Sequence, residues 1–160
     1  MKIRTNIRNL LTAAAVGLGW VSSLNAGTIT NQLVAHLKFD NNYNDSSGHA
    51  INGTAVGSPT FVPGKIGSNA LGFSSAKDGS SFNYVTLGAP PELNFGASTD
   101  FTVALWVKFT SWTGDPGFIG NKDWNSGGNQ GWILATGDNG RLQWNFKESG
   151  SGRKDYDGPG

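Results

Sequence analysis
Apolar residues recur at every second position in several short stretches of the chain, the spacing of a half-buried β-strand. In Leu33–Phe39, Leu33, Ala35, Leu37 and Phe39 fall on one side, and His36 and Lys38 on the other. Asp40 to Gly53 (DNNYNDSSGHAING) breaks the alternation with a run of turn formers and reads as a polar loop. Short apolar pieces follow at Thr60–Val62, Ala70–Phe73 and Tyr84–Leu87, separated by Pro-Gly, Gly-Ser and Asp-Gly breaks. Pro90–Leu93 predicts a loop with at most one helical turn. Phe101–Phe109 (FTVALWVKF) carries the strongest pattern: Phe101, Val103, Leu105, Val107 and Phe109 make one apolar face, and Thr102, Ala104, Trp106 and Lys108 the other. Fully burying one such side chain is worth roughly 1.5–3 kcal/mol, so this segment is expected to anchor the fold. Phe118–Asn121, Gly131–Thr136 and Arg141–Phe146 complete a set of about eight strands, with Gly137-Asp138-Asn139-Gly140 as a hairpin turn between the last two. Glu148 to Gly160 is polar and glycine-rich and reads as a loop. No amphipathic helix of useful length and no repeat is present. The pattern predicts an all-β, antiparallel two-sheet sandwich.

Composition supports that class. Glycine makes up 24 of the 160 residues without a repeat period, which fits many turns and excludes collagen. Eleven per cent aromatic residues exclude a disordered chain. There is no cysteine, hence no disulfide, thiolate metal site or cysteine nucleophile.

Residues 1–26 have the order of a secretory signal peptide: Lys2, Arg4 and Arg8 with no acid, the apolar run Leu10–Leu24, then Asn25-Ala26 before Gly27. The apolar run is shorter than the ~20 residues of a spanning helix, although an N-terminal anchor is the competing reading. Removing this leader lowers the 12 Lys and Arg to 9 against 11 Asp and Glu, a net charge of −2. That balance speaks against nucleic acid as a partner, since phosphate binding needs clustered positive charge. No later segment is apolar for long enough to span a membrane. The chain is thus expected to be secreted or displayed at the cell surface, with residues 27–160 forming the domain.

Two kinds of binding chemistry can be placed on the sequence. Asp40, Asn42, Asn44 and Asp45 crowd one loop with Ser46, Ser47 and Gly48, and hard cations such as Ca²⁺ take six to eight oxygen ligands from groups of this kind. The same residues are also turn formers that bond their own backbone. Asp123 and the Asp155/Asp157 pair are weaker oxygen donors. Trp112 and Trp124 lie in turn-rich segments, where a flat indole can stack on a sugar ring while Asn121, Asp123 and Asn125 bond its hydroxyls; Asn129 and Gln130 are further polar neighbours. Trp106, Trp132 and Trp144 fall within strands and are expected to pack.

Catalysis has little support. Glycoside hydrolysis normally needs two carboxyl groups across the scissile bond, and the only glutamates, Glu92 and Glu148, lie in loops without an acidic neighbour two residues away. Asp155 and Asp157 alternate correctly but fall in the polar tail. His36 and His49 sit in no metal-binding motif, and no nucleophile elbow or phosphate-binding glycine loop occurs. No catalytic residue is therefore assigned. Asn52-Gly53-Thr54 matches a glycosylation acceptor, which matters only in a eukaryotic secretory pathway.

Three segments together resemble a known family. They are LKFDNNYNDSSGHAINGT (Leu37–Thr54), FTVALWVKF (Phe101–Phe109), and IGNKDWNSGGNQGWILA (Ile119–Ala135) followed by GRLQWNF (Gly140–Phe146). In this order, from Leu33 onward, they resemble the LamG-like jelly-roll domains of the concanavalin A-like lectin/glucanase superfamily. The resemblance implies a jelly-roll sandwich in which calcium sites are common but not universal. The family's later W-H-H-V-A-like strand and Y-V-D-G hairpin are missing, so residues 27–160 are read as the N-terminal portion of such a domain. The expected function is non-catalytic binding of an extracellular glycan or protein, with calcium as the cofactor to test. The alternatives are an accessory domain of a larger exported hydrolase or phosphoesterase, and a structural or adhesive surface domain.

Overall fold
A computed structural model describes residues 31–74, 81–96, 98–110, 116–122, 129–137, 140–148 and 152–159. The leader lies outside these residues. The described chain is all-β apart from one short helical turn at Pro91–Leu93, as the Pro90–Leu93 pattern predicts. Among the described residues eight strands form three antiparallel sheets. β1 (Thr54–Val56) pairs with β4 (Tyr84–Thr86), and β2 (Thr60–Pro63) pairs with β3 (Asn69–Gly72). A four-stranded sheet runs β5-β6-β7-β8, from β5 (Gly117–Gly120) through β6 (Gly131–Thr136) and β7 (Leu142–Lys147) to β8 (Lys154–Asp157).

Register assigns the faces of the large sheet. Trp132 lies opposite Phe146, Leu134 opposite Trp144, and Trp144 opposite Tyr156. Side chains alternate along a strand, so these residues share one apolar face. The other face carries Ile133, Ala135, Gln143, Asn145, Asp155 and Asp157. Trp132 stacks on Trp144 with centroids 5.2 Å apart, and Phe101 lies 5.3 Å from Trp132 and 4.2 Å from Phe95. The β6–β7 turn closes at the predicted glycines: the Gly137 N–H donates to Arg141 O, and the Gly140 N–H to Gly137 O, both at 2.9 Å.

Two predicted strands are corrected. Leu33–Phe39 keeps its alternation, with Leu37 and Phe39 half-buried and His36 and Lys38 exposed, but pairs only through an isolated bridge between Leu37 and Asp45. Its backbone is bonded by side chains instead, and Phe39 turns into the left-handed region at φ 57°. Phe101–Phe109 forms no ladder with any described strand. Phe101 packs on Trp132 and Trp144, and Phe109 lies 5.5 Å from Phe118, but Leu105, Val107 and Phe109 stay exposed, so the segment does not anchor the fold as its pattern predicts. Alternation marks the apolar side of a segment; it fixes neither a covering layer nor a neighbouring strand.

Two strands arise where none is expected. Thr54–Val56 begins just after the polar loop. Lys154–Asp157, within the polar tail, is β8, held by its ladder to β7 and by side-chain bonds from Gln143 and Asn145.

Candidate functional site
The acidic loop is organised around two carboxylates. Asp45 Oδ1 accepts from the backbone N–H groups of His36 at 2.8 Å and Ser47 at 2.9 Å. Its Oδ2 accepts from the Ser47 hydroxyl at 2.7 Å and the Ile51 N–H at 3.0 Å. Asp40 Oδ1 accepts from the Ser68 N–H at 2.8 Å, the Ser68 hydroxyl at 3.0 Å and the Asn69 N–H at 2.9 Å. Asn42 Oδ1 takes the Asn44 N–H, and its Nδ2 donates to Asp40 O. Gly67, at φ 73°, lets the backbone come this close: a Cβ there would lie 2.7 Å from both Asp40 carboxylate oxygens.

These contacts set the electrostatics. Bonds from Asn69 and Ser68 hold the Asp40 carboxyl below the ordinary range. Desolvation pushes Asp45 upward, but the donors from His36, Ser47 and Ile51 outweigh it and hold this carboxyl well below that range.

A cation needs oxygens that face it without intervening N–H groups. Here Asp45 uses both oxygens on internal donors, and Asp40 turns toward a different segment, residues 67–69. Among the described residues no group of three or more His, Asp or Glu gathers at one point. As arranged, Asp40, Asn42, Asn44 and Asp45 do not fit a calcium site.

Of the predicted sugar-contact residues, Trp112, Asp123, Trp124 and Asn125 lie outside the described residues. Asn121 is described, and it caps the start of β6. Its Oδ1 accepts the Trp132 N–H at 2.8 Å, while its own N–H donates to Trp132 O at 2.9 Å. Gly131, at φ 122°, lets that side chain approach the backbone. Trp132 and Trp144 pack against each other as expected, whereas Trp106 is 73% exposed, with Lys65 Nζ 5.9 Å from its ring centre.

The structure adds a polar stripe across β7 and β8. Lys122 Nζ donates to Asn145 Oδ1 at 2.6 Å, and Asn145 Nδ2 donates to Asp155 Oδ1. Arg153 forms an ion pair with Asp155 at 2.9 Å, and Gln143 Nε2 donates to Asp157 Oδ1 at 2.7 Å. Asn145 is fully buried, while Arg153 and Asp155 reach solvent. The alternation of Asp155 and Asp157 is the one sequence signal that could have revealed this stripe; the glycine-rich surroundings obscured it. The opposite face of the sheet has an apolar hollow of about 390 Å³ lined by Leu105, Trp106, Val107, Phe109, Phe118, Leu134 and Leu142.

The described residues form antiparallel sheets, the largest with one aromatic-packed face, as a fragment of a β-sandwich does. A family model described as the concanavalin A-like lectin/glucanases superfamily, Laminin_G_3, matches residues 77–160, just over half of the chain. The chain belongs to this family. The match contains the Phe101–Phe109 motif and the motif from Ile119 to Phe146, while the Leu37–Thr54 motif precedes it.

Among solved structures, the chain is similar to an S-layer domain-containing protein (residues 221–444) from Clostridium thermocellum ATCC 27405. The TM-score is 0.57 and the identity 25%, and the similarity covers 79% of this chain and 57% of that one. The chain thus spans little more than half of that neighbour. No curated protein matches. No helix among the described residues is long and apolar enough to cross a membrane.

Proposed function
We propose that this domain is an exported, non-catalytic binding module for an extracellular carbohydrate. The observation that carries this reading is the stripe formed by Lys122, Gln143, Asp155 and Asp157 with Arg153, ordered around the buried Asn145. Fixed amides and carboxylates beside cationic donors are the groups that bond adjacent sugar hydroxyls. Their mutual hydrogen bonds hold them in place before a ligand arrives, which lowers the ordering cost of binding. Trp124, in the turn-rich sequence DWNSGG, is retained as a stacking platform.

Glycan-array binding of the wild type, Gln143→Ala, Asp157→Ala and Trp124→Ala tests this reading. Loss of binding in the first two variants supports the stripe as the ligand surface. Loss in Trp124→Ala alone moves the site to the loop. No glycan bound by the wild type removes carbohydrate as the ligand.

The S-layer neighbour favours a second reading, a surface-displayed domain whose ligand is another envelope component. Cell fractionation followed by cross-linking on intact cells separates the two.

A further inference from the structure
We propose that the acidic loop is an internal fastener, in which N–H and O–H donors of the chain take the place a divalent cation would hold against Asp40 and Asp45, so that this part of the domain folds without calcium. The inference stands on the direction of the hydrogen bonds. Asp45 gathers donors from three separated points, His36, Ser47 and Ile51. These tie the segment after Leu33 to both ends of the following loop. The Asp45 N–H donates to Asn52 Oδ1 at 2.9 Å, the Ser46 N–H to His36 O at 2.9 Å and the Gly53 N–H to Tyr43 O at 2.8 Å, which closes the loop on itself.

Asp40 performs a second fastening across a longer separation, 28 and 29 positions along the chain, to Ser68 and Asn69 at the start of β3. The Asn69 side-chain amide also donates to Asn41 Oδ1. Gly67 leaves no room for a side chain between its Cα and the Asp40 carboxylate.

A cation attracts carboxylate oxygens together, whereas N–H donors spread them apart onto separate backbone segments. Around Asp45 the positive ends of three N–H dipoles and one O–H already face the carboxylate, so a cation approaching there would meet repulsion from its own ligand shell. The charge is neutralised locally, by groups the chain supplies itself.

Calcium alone is the probe for the test. Thermal unfolding of the protein is followed in excess EDTA and in millimolar CaCl₂, and terbium is titrated while luminescence sensitised by Tyr43 is recorded. The expected result is one midpoint in both buffers and no saturable luminescence, with Asp45→Asn lowering the midpoint equally in EDTA and calcium. A midpoint raised by calcium, as selective binding to the native state requires, would overturn the proposal. So would saturable terbium luminescence abolished by Asp40→Asn. The terbium and EDTA measurements use the wild type, so they decide the matter even where Asp45→Asn fails to fold.

Discussion
The region from Leu33 to Gly72 and the sheet from Gly117 to Asp157 reach order by different routes. In the sheet, β6 and β7 pair along six positions, and side chains pack on the faces that the ladder presents. In the N-terminal region strands are short, and carboxylate, amide and hydroxyl groups bond the backbone that no strand pairs. Backbone N–H and C=O groups take partners by ladder in one region and by side chain in the other. The consequence is unequal sensitivity. One aspartate in the first region serves four donors, whereas a bond lost from the sheet has parallel neighbours to share the load.

The largest effect is expected from Trp144→Ala. This indole stacks on Trp132, lies 5.8 Å from Phe101 and stands opposite Tyr156. Its removal should cost about 3 kcal/mol, the lower end of the range for large aromatic truncations because the residue is only half-buried. Urea unfolding followed by tryptophan fluorescence checks this.

Asp45→Asn should cost less, ~1–3 kcal/mol, because the amide keeps one acceptor but cannot accept all four bonds. Its loss should appear as lowered unfolding cooperativity, since the N-terminal region loosens before the sheet.

Acid separates the regions without mutation. Asp40 and Asp45 are both held below the ordinary carboxylate range. The stability they contribute is complete above the unfolded value of ~3.9 and is lost as pH falls through the lowered folded values. His36, whose ring bonds the Ser46 hydroxyl, and Lys38, which favours the Asp40 anion, are the other charged groups close by. Circular dichroism melts from neutral pH downward should show the midpoint falling below about pH 4, and less steeply in Asp45→Asn.

The smallest effect is expected from Trp106→Ala. With 73% of the residue exposed, the substitution should stay within about 0.5 kcal/mol of wild type in the same urea assay.

Much of the sheet could be read from sequence because its segments carry both signals a strand needs, alternation and flanking turns. Gly131–Thr136 and Leu142–Lys147 around the Gly137–Gly140 turn illustrate this. Phe101–Phe109 shows the limit: Phe101 packs on the sheet, yet Leu105, Val107 and Phe109 stay exposed, because alternation carries no information on what lies against or beside the segment. β8 was obscured because Tyr156 is the one apolar residue in Lys154-Asp155-Tyr156-Asp157, and its side-chain bonds come from Gln143 and Asn145, distant in sequence.

The acidic loop was legible as a loop but ambiguous in its chemistry. Oxygen-rich side chains look alike in sequence whether they await a cation or backbone N–H groups, and only the direction of Asp40 and Asp45 separates the two. The polar stripe shows the reverse case, in which residues that looked like tail become a surface once β8 is in register.

The contrast between a side-chain-fastened region and a ladder-held sheet is tested most directly by residue-resolved amide hydrogen exchange on wild type and Asp45→Asn. The account predicts that the His36, Ser47 and Ile51 amides lose most of their protection in the variant while those of Ile133, Leu134 and Asn145 keep theirs. Equal loss across both regions, or no loss at His36, Ser47 and Ile51, would contradict it.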